Sequence, residues 1–103
     1  MGEPVRVAYS MSKSALHALM RHVARRFGPQ GVRANVIAPG VVTHPRFEAV
    51  ISPEIAEAFK AATLLKTRLG RPADIAAMGA LLMSDEGSYV TGQVISVDGG
   101  YKV

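Results

Sequence analysis

Tyr9 and Lys13 stand four residues apart in the stretch Y-S-M-S-K-S-A-L-H-A-L at 9–19. On a helix, residues i and i+4 are neighbours on one face, about 5–6 Å apart at Cβ. A phenol alone is a poor acid or base near neutral pH. A cation at about 4 Å favours the ionised phenol by roughly 4 kcal/mol at an effective dielectric of about 20. General acid–base catalysis wants a group tuned towards the working pH. The pair therefore suits proton transfer, but the spacing is common and its surroundings have to support it.

The elements that would hold the pair are readable. Leu16, Leu19, Met20, Val23 and Phe27 recur at helical spacing and predict a helix over 9–27, capped by Gly28 and stopped by Pro29. An apolar strand is predicted over 32–38, ending at Pro39-Gly40, with a loop through 41–45. Ser52-Pro53-Glu54 reads as a helix start, with a capping hydroxyl, proline in the first turn and an acid at the positive end. Residues 64–70 read as irregular. A third helix is predicted from Arg71-Pro72 to about Ser84, broken by Asp85-Glu86-Gly87. A second strand is expected at 93–97, closed by the turn Asp98-Gly99-Gly100. Strand, helix, strand implies a parallel pair and an α/β class. Parallel sheets are normally wider than two strands. The chain is thus expected to be the C-terminal part of a Rossmann-type doubly wound parallel sheet, with two strands, about three helices and an incomplete domain.

Composition narrows the function. The chain has 103 residues, 49% hydrophobic, and no cysteine, which removes disulfide staples and thiolate metal sites and fits a cytoplasmic location. The apolar run 75–83 is too short to span a bilayer, so no membrane partner is expected. Residues 1–47 carry seven basic side chains against Glu3, whereas residues 48–103 carry five against seven acids. The basic half reads as the solvated face bearing Arg21, Arg25 and Arg26. No aromatic residues interleave with it, so nucleic acid is not an expected partner. His17 and His22 read as surface or interface residues without a ligand partner at metal spacing. His44 stands in the loop after the first strand. The methionines at 11, 20, 78 and 83 read as core or interface filler.

Four stretches together resemble the C-terminal half of the short-chain dehydrogenase/reductases: 9–19, G-V-R-A-N-V-I-A-P-G at 31–40, L-G-R-P-A-D-I-A at 69–76, and V-T-G-Q-V-I-S-V-D-G-G at 90–100. The resemblance implies hydride transfer between NAD or NADP and a carbonyl/alcohol substrate. It implies that Tyr9 is the acid/base and that Lys13 makes its proton easier to give up and holds the nicotinamide ribose. It places the cofactor against Pro39, Gly40, Val42 and Thr43, with Val42 nearest the nicotinamide amide. Residues 43–68 would form the substrate lid, and a homo-oligomer is expected. The family's Gly-rich turn, Asn-Ala-Gly segment and catalytic serine find no match here, and Ser10, Ser12 and Ser14 lie inside the helix. The N-terminal nucleotide-binding half is therefore expected to be absent from residues 1–103. The alternative is a non-catalytic, self-associating fragment of the same family.

Overall fold

The computed structural model describes residues 4–101. Its elements run in the order α1 (Pro4–Phe27), β1 (Val36–Pro39), α2 (Pro45–Val50), α3 (Pro53–Ala61), α4 (Pro72–Met83) and β2 (Val94–Val97). The two strands pair in parallel, Val36 opposite Val94 through Pro39 opposite Val97. The α/β class and the parallel pair are as expected from the sequence.

Three boundaries differ from expectation. Helix α1 begins at Pro4, five residues before the predicted start at Tyr9. It ends at Phe27, but the left-handed residue is Gly31 (φ 85°), reached through a 3-10 turn at Gly28–Gln30. Strand β1 starts at Val36, not residue 32, because the backbone before it is committed elsewhere. The Val32 N–H donates to the Phe27 carbonyl (3.2 Å), and the Ala34 N–H donates to Thr91 Oγ1 (3.1 Å). Helix α2 fills part of the predicted loop. His44 caps it by accepting a hydrogen bond at Nδ1 from the Phe47 N–H (3.3 Å), with Pro45 in the first turn.

The start of β1 is fixed by side chains. The Arg33 guanidinium donates to the carbonyls of Leu82 (2.6 Å), Gly87 (2.8 Å), Ser84 (3.4 Å) and Val90 (3.5 Å). They lie at the end of α4 and in the turn after it, where the Ser84 and Gly87 carbonyls also accept the N–H groups of Gly87 (3.1 Å) and Val90 (3.0 Å), so the guanidinium adds a charged donor to the turn. Asn35 completes the clamp, donating to the Val90 carbonyl (2.9 Å) and accepting from the Gln93 N–H (3.1 Å). Helix α4 is held at its other end by Asp74, which accepts from the Arg71 N–H (2.8 Å) and from Arg68 (2.7 and 3.0 Å). Ser52 caps α3 through the Ile55 N–H (3.3 Å), as its sequence predicts.

The hydrophobic interior is small. Among the described residues the buried hydrophobics are Met20, Leu69 and Leu82. The radius of gyration is 16.1 Å, against about 13 Å for a compact chain of this length. Helix α1 has 24 residues and is about 36 Å long, while β1 has four residues and spans about 13 Å. Much of the helix therefore extends beyond the sheet that it accompanies. No helix among the described residues is long and apolar enough to cross a membrane.

Candidate functional site

Helix periodicity puts Tyr9, Lys13, Leu16, Met20, Val23 and Phe27 on one face of α1. That face changes character along its length. Met20 is 5% exposed and Ala24 lies within van der Waals reach of the Gly92 position, whereas Leu16 is 47% and Tyr9 62% exposed. Tyr9 and Lys13 thus stand on the continuation of the packed face, where the described sheet no longer covers it. The Lys13 ammonium sits over the Tyr9 ring, 5.2 Å from its centroid, a cation–π arrangement that keeps a positive charge beside the phenol. Ser12 Oγ donates to the Tyr9 carbonyl (2.7 Å), so this hydroxyl is used by the helix. Among the described residues, Tyr9 and Lys13 share no hydrogen bond with residues 39–43.

The second group of predicted residues forms one continuous backbone turn after β1. Gly40 donates its N–H to the Val97 carbonyl (3.1 Å) and lies against Asp98, where an added Cβ would come within 2.6 Å of the Asp98 Cβ. Only glycine fits this approach of the two strand ends. Asp98 in turn accepts from the Gly100 N–H (2.9 Å). The motifs Pro39-Gly40 and Asp98-Gly99-Gly100 are therefore two sides of one junction. In the sequence they stand as separate turns.

Beyond Gly40 the chain forms a parallel bridge between Val42 and Gly70. Gly70 donates to the Val41 carbonyl (3.0 Å), and its carbonyl accepts from the Thr43 N–H (2.9 Å) and from Thr43 Oγ1 (3.2 Å). In such a bridge the flanking residues face the partner, and the central residue turns its own N–H and C=O the other way. Val42 therefore presents a donor and an acceptor side by side, unpaired among the described residues. A primary carboxamide needs this complement, so the donor set at Val42 fits the amide of a nicotinamide. Thr43 Oγ1 is already engaged with Gly70. His44 serves as a helix cap, and its ring lies 6.1 Å from that of Phe47.

A cavity of about 440 Å³ lies at the same carboxyl ends of the strands, lined by Val41, Leu69, Ile75 and Val97 among others. Open α/β sheets bind ligands at this end. Neither Tyr9 nor Lys13 lines it. Arg68 and Asp74 stand at its wall. The hydrogen bonds from Arg68 and then from the Arg71 backbone hold the Asp74 carboxyl at about 2, below its ordinary 3.8. Sequence reasoning missed Gly70 and Asp98. The signal was present in the short motifs around them, since each glycine there has a partner strand end to approach. Among the described residues no three His, Asp or Glu side chains gather as a metal site.

Helices around a pair of parallel strands, with a Tyr-Lys helix and a Pro-Gly strand end, make this an α/β fold. The family model described as Enoyl-(Acyl carrier protein) reductase matches residues 1–102. The uncharacterized oxidoreductase YmfI of Bacillus subtilis is 38% identical over 103 residues, covering 97% of this chain and 40% of its own length. The crystal structure of a 3-oxoacyl-[acyl-carrier protein] reductase from Brucella melitensis superposes with a TM-score of 0.84 at 37% identity, over 92% of this chain and 35% of that one. A 4-hydroxyisoleucine dehydrogenase complexed with NADH and succinate gives a TM-score of 0.81 at 36% identity, over 97% of this chain and 40% of that one. The chain belongs to the short-chain dehydrogenase/reductase family. It spans about 35–40% of the length of the curated relatives it matches.

Proposed function

We propose that this chain supplies the proton-handling part of a nicotinamide-dependent oxidoreductase acting on a small carbonyl/alcohol substrate. The reading rests on Tyr9 and Lys13 lying one helical turn apart, with the ammonium over the ring, in a chain of this family. The bound nicotinamide would supply or accept the hydride. Tyr9 would pass its hydroxyl proton to the carbonyl oxygen in reduction and take it back in oxidation. Lys13 would keep positive charge beside the phenol and reach the nicotinamide ribose. The Val42 N–H and C=O would orient the amide, and Pro39, Gly40 and Thr43 would set the backbone that presents Val42. NAD and NADP both meet these contacts.

Residues 1–103 would be the C-terminal portion of the catalytic domain, completed by a nucleotide-binding portion, and the completed protein would self-associate. Supporting this need for completion, the face bearing Tyr9 and Leu16 is open. The same openness favours a second reading, an interaction module of the family that does no chemistry. Turnover separates them. The chain completed by the nucleotide-binding portion of a relative should reduce or oxidise a nicotinamide cofactor with carbonyl or alcohol substrates, and Tyr9→Phe should abolish this by a factor of about 100 or more. Equal turnover in Tyr9→Phe would overturn the proposal.

A further inference from the structure

We infer that the cavity at the carboxyl ends of the strands is a binding site for an amphipathic anion, an aliphatic chain ending in a carboxylate, separate from the Tyr9–Lys13 pair. The cavity holds about 440 Å³, within the range of about 300–1,000 Å³ usual for small-ligand pockets. Its walls come from the turn after β1, from residues 65–70, from the start of α4 and from residues 97–99. Backbone bonds tie these walls together. The Leu65 N–H donates to the Gly99 carbonyl (2.9 Å), and the Gly70 N–H donates to the Val41 carbonyl (3.0 Å). The site is therefore preformed within this chain. Val41, Leu65, Leu69, Ile75 and Val97 make the lining mainly apolar, which suits a hydrocarbon body.

Arg68, in the wall, chooses the head group. Its Nη1 donates to Asp74 Oδ2 (2.7 Å) and to the Leu69 carbonyl (3.0 Å), and its Nη2 donates to Asp74 Oδ1 (3.0 Å). Asp74 thus occupies the end of the guanidinium fork. The side edge, formed by the Nε proton and the second Nη2 proton, has no partner among the described residues. Two parallel donors on such an edge match the two oxygens of a carboxylate. The local charge agrees, since residues 64–75 carry Lys66, Arg68 and Arg71 against Asp74 alone. An anion gains from this field, whereas a cation of the same shape is repelled. Asp98, the other carboxylate in the wall, is turned to the Gly100 N–H (2.9 Å). Neither Tyr9 nor Lys13 lines the cavity, so the site stands apart from the proposed proton transfer.

The test titrates the chain with octanoate and follows the backbone amide resonances. The amides of residues 65–70 and 97–99 should move together on one saturating curve. Arg68→Gln should weaken binding about tenfold or more. Arg68→Lys, which keeps the charge without the fork, should lose less. Octyltrimethylammonium, with the same chain and the opposite charge, should bind about tenfold more weakly than octanoate. Ala77 lines the cavity yet is exposed, so Ala77→Phe can fill the space with the fold intact and should abolish binding. Cavity amides that stay still, or that drift without saturating, overturn the inference. So does equal affinity for the two probes, or octanoate binding that survives Ala77→Phe. A loss in Lys13→Ala as large as in Arg68→Gln also overturns it, because the anion would then sit at the Tyr9–Lys13 pair. The readout needs neither cofactor nor turnover, so failure of the functional proposal leaves this one standing.

Discussion

The two ends of the molecule are held in opposite ways. Residues 82–93 are tied to the start of β1 by the Arg33 and Asn35 side chains, through six hydrogen bonds to backbone groups. Among the described residues, the first half of α1 has only its own helical bonds, the Ser12 bond and the Lys13–Tyr9 contact. One region spends its polar side chains on architecture. The other keeps its phenol and ammonium free of architectural duties. The difference teaches where substitutions should be felt: structure is lost at the clamp, chemistry at the helix.

The largest effect on stability is expected at the clamp. Arg33→Ala leaves the carbonyls at 82, 84, 87 and 90 without their charged donor, and should cost about 3 kcal/mol, read as a lower urea midpoint. Next comes Gly40→Ala, whose Cβ would press into Asp98; forced overpacking of this kind costs about 2 kcal/mol. Ser52→Ala, which removes the α3 cap, should cost about 1 kcal/mol. A smaller effect is tied to acid. Because the Asp74 carboxyl is held at about 2, its contribution to stability is present above its ordinary value of 3.8 and is lost as pH falls from there towards 2. Asp74→Asn should flatten the acid limb of the stability profile over that window. The smallest effect is predicted for Tyr9→Phe, with the exposed hydroxyl contributing less than about 0.5 kcal/mol to the isolated chain. If Tyr9→Phe destabilises the chain as much as Arg33→Ala, the contrast between the two regions fails.

Local signals predicted much of this. The stripe from Leu16 to Phe27, the Ser52 cap and the Asp98-Gly99-Gly100 turn each express a rule acting within a few residues. The start of β1 was not readable in the same way. Val32-Arg33-Ala34 has strand composition, and only contacts with Phe27, Thr91 and residues 82–90 withdraw it from the ladder. Helix α2 was hidden because the residue that caps it is a histidine followed by proline, which reads locally as a loop. Of the site, the Tyr9–Lys13 neighbourhood follows from helix spacing alone. The unpaired Val42 donor and acceptor depend on Gly70, 28 positions away in sequence, and no local pattern announces that bridge.

The Arg33 clamp also sets the order in which the chain acquires its shape. Its bonds join positions separated by 49 to 57 residues, and those of Asn35 reach 58. Contacts of such span form late, after the entropy of closing a long loop has been overcome. Among the described strands, β1 pairs with β2 alone, so its ladder waits on residues 93–97. Helix α1, whose bonds are all local, can form long before. The refolding chain should therefore carry Tyr9 and Lys13 on a finished helix before β1 and β2 have paired, a state that pulsed hydrogen exchange during refolding would reveal as early protection in α1 and late protection at Val36.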